Sequence, residues 1–344
     1  MSGRDTGTNR ADDGGLVAAI RAGDESAFAD LVERSRRELR VHCYRMLGSS
    51  QDAEDMVQET FLRAWRRRES FEGRSTFRAW LYRIATNACL DALAASPRRV
   101  LPYDVVAAAD PDGDLPSASG HAWLEPYPDR LLDADGDHED PAVLVVARET
   151  IELAFLAAIH HLPPKQRAVL ILRDVLGWSA NETGAVLEIS VPAVKSALQR
   201  ARATLKAHLP ARRIEWDATT EVSEREHAVL RRYMAAHEHA DVNALASVLA
   251  ADVRVSFPPL PLWADGREAF IAGSLKHALA GQYRLIPIRA NRQPATAIYL
   301  RRPGDSEFRA LTLELLHIEG DSITEIVDYS DPVLLAAFGL APTL

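Results

Sequence analysis

Along residues 16–96 apolar positions recur every three or four residues: Phe28, Leu31, Val32 and Leu39 make one stripe, and Ala53, Val57, Phe61 and Ala64 a second. That period predicts amphipathic helices packed side by side. Between about 97 and 140 the period gives way to Pro, Asp and Gly, the composition of an extended connection. Helical spacing returns from 142 to about 210. After a polar junction, two more helical patterns are followed by the alternation of strands over 252–257, 283–289, 296–301, 308–318 and 322–329. Turns fall at Pro303-Gly304-Asp305 and Glu319-Gly320-Asp321. The expected fold class is multidomain: two all-α domains, 14–98 and 141–212, plus an α+β domain over 222–344. A disordered N-terminus (1–13) and an acidic linker (99–140) complete it, and 344 residues suffice for several cores.

Ser179 followed by Glu182 is a capping box and predicts a helix to about Leu187. Ser190 can cap the next helix, with Pro192 in the first turn, where a missing N–H costs little. There Val191, Val194, Leu198, Ala201 and Leu205 form the packing stripe, and Lys195, Gln199, Arg202 and Lys206 repeat on another face. Two short helices joined by a tight turn, the second basic, predict a helix-turn-helix over 179–208 whose second helix enters a DNA major groove.

Charge sharpens this picture. The net charge of -9 looks wrong for a nucleic-acid binder, but Val100–Asp140 holds eleven acids against one base, Arg130, and so carries -10 by itself. Ile189–Ile214 holds six basic side chains and no acid. Upstream, Asp52–Trp65 is an acidic helix, and Phe71–Asp91 interleaves Arg with Phe, Trp and Tyr. Carboxylates suit a basic protein partner; arginines neutralise phosphate and rings stack on unpaired bases. Cys43 and Cys89 lie far apart in sequence and outside Cys-x-x-Cys spacing, which predicts neither a disulfide framework nor a zinc module. The polar start, and the absence of an apolar run near the roughly 20 residues that span a bilayer, predict a cytoplasmic chain without a membrane partner.

The stretch Gly177–Trp178–Ser179 through Val191–Arg202 resembles region 4.2 of the extracytoplasmic-function (ECF, group IV) sigma factors of the sigma-70 family. Asp52–Trp65 resembles region 2.2 of that family, and Phe71–Asp91 regions 2.3 and 2.4. Glu188 stands where the family turn usually has Gly, Thr183 where an apolar residue is common, and Ala197 where Arg is frequent.

The resemblance implies a non-enzymatic protein, without cofactor or metal, that gives RNA polymerase its promoter choice. Asp52, Asp55, Gln58, Glu59 and Leu62 would dock on the β′ clamp of the polymerase core, with the β flap as a further contact. Phe71, Gly73, Arg74, Ser75, Phe77, Arg78, Trp80, Arg83 and Asn87 would recognise and open the -10 element of promoter DNA; the -35 element would fall to Pro192, Lys195, Ser196, Gln199, Arg200 and Arg202. Trp80 divides evenly between packing and base contact, since it shares a face with Phe77 and Ile84.

Residues 222–344 resemble a SnoaL-like domain of the NTF2-like cone fold, whose scattered polar candidates are His237, His239, Asp241, Asp265, His277, His317 and Asp328. Such a domain implies regulation in cis, through intramolecular contact with the sigma domains or the linker, and leaves open a small ligand of unknown identity. The competing readings are a ligand-responsive helix-turn-helix regulator, and a transcription module tethered to a cyclase- or isomerase-like enzyme. Residues 52–91 separate the first from a sigma factor, because a stand-alone regulator needs no polymerase handle.

Overall fold

The computed structural model describes residues 15, 17–71, 76–110, 113, 116–117, 120–132, 151–209, 224–278 and 281–344. The expected N-terminal disorder (1–13) and most of the -10 loop lie outside these residues. The chain divides into two compact units: Met1–Arg98 with Ala158–Leu209, and Arg99–Ala157 with Pro210–Leu344.

In the first unit, α1 (Glu25–Leu47), α2 (Ser50–Arg66) and α3 (Phe77–Ala95) pack mutually. Each starts at a polar cap: Asp24 accepts from the Ser26 and Ala27 amides, Ser49 from Asp52, and Thr76 from Ala79. The predicted stripe of Ala53, Val57, Phe61 and Ala64 is buried, as are Leu31 and Leu39, whereas Phe28 and Val32 are half-buried. Cys43 and Cys89, remote in sequence, are both buried free thiols, and the hydrogen bond between them makes them neighbours between α1 and α3. The division falls within α4 (Leu153–His160), whose last residues from Ala158 belong to this unit; α5 (Pro164–Leu170), α6 (Ala180–Leu187) and α7 (Val191–His208) follow. Both halves of the Ser179–Glu182 capping box form, at 3.2 and 2.7 Å.

In the second unit, α8 (Glu224–Glu238), α9 (Val242–Val248) and α10 (Arg267–Ala278) accompany a six-stranded mixed sheet. Its strands are β1 (Leu249–Ser256), β2 (Trp263–Asp265), β3 (Gln282–Ala290), β4 (Gln293–Arg301), β5 (Arg309–Glu319) and β6 (Ser322–Tyr329). Their order is β2-β1-β6-β5-β4-β3; β1 and β6 run parallel and every other pair antiparallel. Alternation sorts the side chains onto two faces. Ile298, Leu316 and Ile326 share a core with Tyr233, Leu245 and Phe270 of the three helices. Ala297, Tyr299, Leu313 and Leu315 form the other core, with Leu334 and Leu335 of α11 (Pro332–Ala337) and with Leu101, Leu124 and Leu153. This is an α+β domain, in line with the expected fold class, and Leu101 and Leu124 of the stretch read as an acidic linker (99–140) supply part of its second core.

That segment is held by specific bonds. Val100 bridges Trp123, and Arg99 pairs with Glu125 at 2.9 Å. The two-residue β3–β4 turn, Asn291–Arg292, has both φ positive (55° and 59°), as a type I′ hairpin requires. Buried Asn291 accepts from the Tyr127 amide at 2.7 Å and donates to the Ile151 carbonyl at 2.8 Å. Asp129 accepts from the Arg292 amide at 2.8 Å and pairs with Arg289 at 3.3 Å, while Trp263 donates to the Val106 carbonyl. The aromatic and proline run 123–128 is therefore structural in this unit.

On the helix-covered face a polar cluster sits within the apolar core. Glu314 and Asp328 stand opposite each other on β5 and β6. Tyr233 donates to Glu314 at 2.8 Å, Thr296 does so at 3.3 Å, and Thr312 and Ser330 donate to Asp328. Burial raises both carboxyls above their ordinary range, Glu314 to about 8, with the Asp328 charge adding to its shift. Of the polar candidates from sequence, Asp328 belongs here and half-buried His237 packs edge-on against Tyr233 at a centroid distance of 5.9 Å, whereas Asp241 caps α9, His317 contacts Glu319, and His239 and Asp265 are exposed; the His277 side chain lies outside the described residues. A carboxyl held protonated in the folded state binds more protons folded than unfolded. Its stabilisation is complete below the unfolded value near 4.5 and is lost as pH rises through about 8. Urea unfolding should therefore show stability falling across that window, with a flatter profile in Glu314→Gln, and Tyr233→Phe should cost about 1 kcal/mol.

Candidate nucleic-acid and polymerase interfaces

On α2, burial of the apolar stripe forces the opposite face outward. Asp55 and Gln58 are exposed, Asp52 and Glu59 half-exposed, and Leu62 is 51% exposed among them. Glu59 is drawn into a 2.6 Å pair with Arg63, which also reaches Asp91 at 3.1 Å. Leu62 is thus an aliphatic side chain left in water among polar and acidic neighbours.

The expected -10 residues separate into three groups. Phe71 and Phe77 are 6% and 5% exposed and form a three-ring cluster with Trp80, at centroid distances of 5.1–5.5 Å. Their faces are used in packing on one another, and Trp80 is half-buried. Gly73, Arg74 and Ser75 lie outside the described residues. Arg78, Arg83 and half-buried Asn87 remain on α3, where Arg78 pairs with Glu38 at 2.7 Å and lies over the Tyr82 ring, and Arg83 pairs with Glu188.

On α7, Val194, Leu198 and Ala201 are buried as the stripe predicts. Pro192, Lys195, Ser196, Gln199 and Arg200 are exposed together. Arg200 donates to Ser196 at 2.6 Å, so these two present one joint surface. Arg202, also exposed, makes a two-point pair with Asp174 at 2.8 and 2.7 Å, which ties α7 to the segment before α6. The turn is tight: a Cβ on Gly184 would meet the Ile189 carbonyl at 2.7 Å. Glu188 caps α6 in the left-handed conformation, φ 55°, where Gly costs least.

Sequence reasoning missed Arg167. This side chain, 2% exposed, donates to the Ile159, His160 and Leu162 carbonyls at 3.1–3.4 Å and to Met46 at the end of α1. Burial, and then the neighbouring Arg98 charge, lower its pKa to about 9, which leaves it charged at neutral pH. The signal was present: Arg167 shares helical spacing with Leu170 and Ile171, which marks it as core-facing.

Residues 31–99 match Sigma-70 region 2, and residues 152–205 match Sigma-70, region 4. The chain is 42% identical over 330 residues to the ECF RNA polymerase sigma factor SigG of Mycobacterium tuberculosis (strain ATCC 25618 / H37Rv), across 94% of this chain and 86% of that one. The chain belongs to the ECF sigma factors of RNA polymerase. SigW of Bacillus subtilis (strain 168), another such factor, is 34% identical across 56% of this chain and 94% of its own length. The crystal structure of the Mycobacterium tuberculosis ECF sigma factor SigJ shares the fold, with a TM-score of 0.59 at 22% identity, covering 91% of this chain and 100% of that one. The family acts in transcription initiation and is not a family of enzymes. Among the described residues no helix is long and apolar enough to cross a membrane, and no group of three or more His, Cys, Asp or Glu is placed to hold a metal ion.

For this sigma factor, replacing Arg167 by Met keeps the bulk but strands buried carbonyls. The variant should lose about 3 kcal/mol, measured by urea unfolding of the helical unit.

Proposed function

We propose that the outward face of α2 is the handle by which this sigma factor grips the polymerase core, at a basic surface of the β′ clamp. Leu62 supplies the apolar anchor, and Asp52, Asp55, Gln58 and Glu59 the surrounding polar contacts. The exposure of Leu62 within an acidic face is the observation that carries the reading. Lys195, Ser196, Gln199 and Arg200 read the -35 element, because Lys and Arg donate to guanine edges and Gln to adenine. Arg78, Trp80, Arg83 and Asn87 act at the -10 element, where capture of an extruded base returns about 1–3 kcal/mol against the cost of unpairing it. The β flap is the further polymerase contact, and the site of action is the cytoplasm.

The sheet unit modulates initiation in cis through the connecting segment. Support comes from the bonds of Asn291, Asp129 and Trp263, which tie residues 99–132 to the sheet. A truncation near 215 would remove the sheet from beneath Leu101 and Leu124, so point variants are the cleaner probe. A small ligand would act on this unit only through unequal affinity for its states.

In reconstituted transcription, Leu62→Ala with Asp55→Ala should reduce core binding about tenfold or more while leaving the helical content unchanged. Intact binding would refute the handle. Asn291→Ala should release Tyr127 and Ile151 and change initiation relative to the parent; identical activity over a range of salt and temperature would count against modulation through the connection.

A further inference from the structure

We propose that Glu188 is a latch: its carboxylate occupies Arg83 in place of a DNA phosphate and tunes a closed state of regions 2 and 4 that reading both promoter elements must open. The inference rests on the sigma-factor reading above.

Arg83 lies on α3 among the residues assigned to the -10 element, and Glu188 forms the turn of the helix-turn-helix that serves the -35 element; the two side chains form an ion pair. Around it α3 packs against α5 and α6. Tyr82 meets Trp178 at a centroid distance of 5.1 Å, Arg98 bonds His161 at 3.2 Å, and Arg167 reaches Met46. Both DNA readers thus belong to one compact unit of about 150 residues. Such a unit has a radius of gyration of about 15 Å and a breadth of roughly 40 Å. By their names the two promoter elements are centred roughly 25 base pairs apart, about 85 Å at 3.4 Å per pair. The closed unit cannot read both.

Glu188 is suited to this task for a reason internal to the turn. Its left-handed backbone favours Gly, and the capping bond is made by its own N–H to the Gly184 carbonyl, so the turn does not need the carboxylate. What the carboxylate does contact is Arg83. An arginine paired with Glu188 is not available to phosphate, so the ion pair and DNA compete for Arg83, which couples the two equilibria. Because the pair is exposed to solvent, it tunes the closed state, while Arg167 and the Tyr82–Trp178 contact supply most of its strength.

The test uses the full chain. Spin labels at Glu33→Cys on α1 and Ala207→Cys on α7 occupy exposed positions, whereas Cys43 and Cys89 are buried. Pulsed dipolar spectroscopy should give one short distance for the parent. Glu188→Gly relieves the turn and Glu188→Gln preserves its shape; both should enlarge a long-distance population about two- to fivefold. Unlabelled Glu188→Gly should raise promoter-dependent initiation at limiting protein by a similar factor. Distance distributions that superimpose on the parent overturn the latch. A shift in Glu188→Gly alone assigns the effect to the turn backbone and also overturns it, as does opening without a gain in initiation. If the parent itself supports no initiation, the sigma-factor reading fails, while the distances still report whether the latch exists.

Discussion

Arg167 is the interaction on which the helical unit depends. A guanidinium inside a core is costly unless its donors are met, and here main-chain carbonyls meet them: Ile159, His160 and Leu162 around the end of α4, and Met46 at the end of α1. Carbonyls at helix C-termini lack intrahelical partners and sit at the negative end of the helix dipole. One cation therefore caps two helix ends that belong to different sigma regions. The hydrogen bonds are directional, so they fix the orientation of region 4 on region 2 more sharply than apolar contact does. A cation bound to carbonyls rather than to a carboxylate has no mobile countercharge, and the contact is insensitive to salt compared with the surface pair of Arg83 and Glu188.

A second constraint concerns the chain between the two regions. Its acidity suggested a solvated connection, and many of its acids, including those from Asp133 to Asp140, lie outside the described residues. Its apolar residues have a different role: Leu101, Leu124 and Tyr127 are almost fully buried in the sheet unit. A sheet with two apolar faces needs two covers. Helices α8, α9 and α10 cover one; the connecting segment, Leu153 and α11 cover the other. The segment that separates the two DNA readers in sequence thus contributes Leu101 and Leu124 to the core of the sheet unit.

Much of this was legible in the sequence because it follows from period and local chemistry. The α2 stripe, the Ser179–Glu182 box, the Ser190 cap and strand β6 each depend on residues close together in the chain. The short strand β2 escaped because Trp263–Asp265 is too brief to show alternation. Strands β3 and β4 were legible, but the tight turn between them escaped because it is Asn-Arg rather than Asn-Gly, the second left-handed residue lacking its usual marker. Cys43 and Cys89, Arg167 with Met46, and Glu314 with Asp328 and Tyr233 are pairings across long stretches of chain that no local pattern encodes. The same limit applies to the candidate site. Spacing showed which side chains share a face, but not that Phe71 and Phe77 spend their faces on each other and on Trp80, nor that Arg202 is claimed by Asp174.

The central claim is that this chain confers promoter opening on RNA polymerase. It is tested most directly by permanganate footprinting of promoter DNA with polymerase core and the full-length protein, which marks unpaired thymines. Reactive thymines should appear within the -10 element only when both proteins are present, followed by transcripts starting downstream. A library of genomic promoters that shows neither melting nor initiation with this pair would contradict the claim.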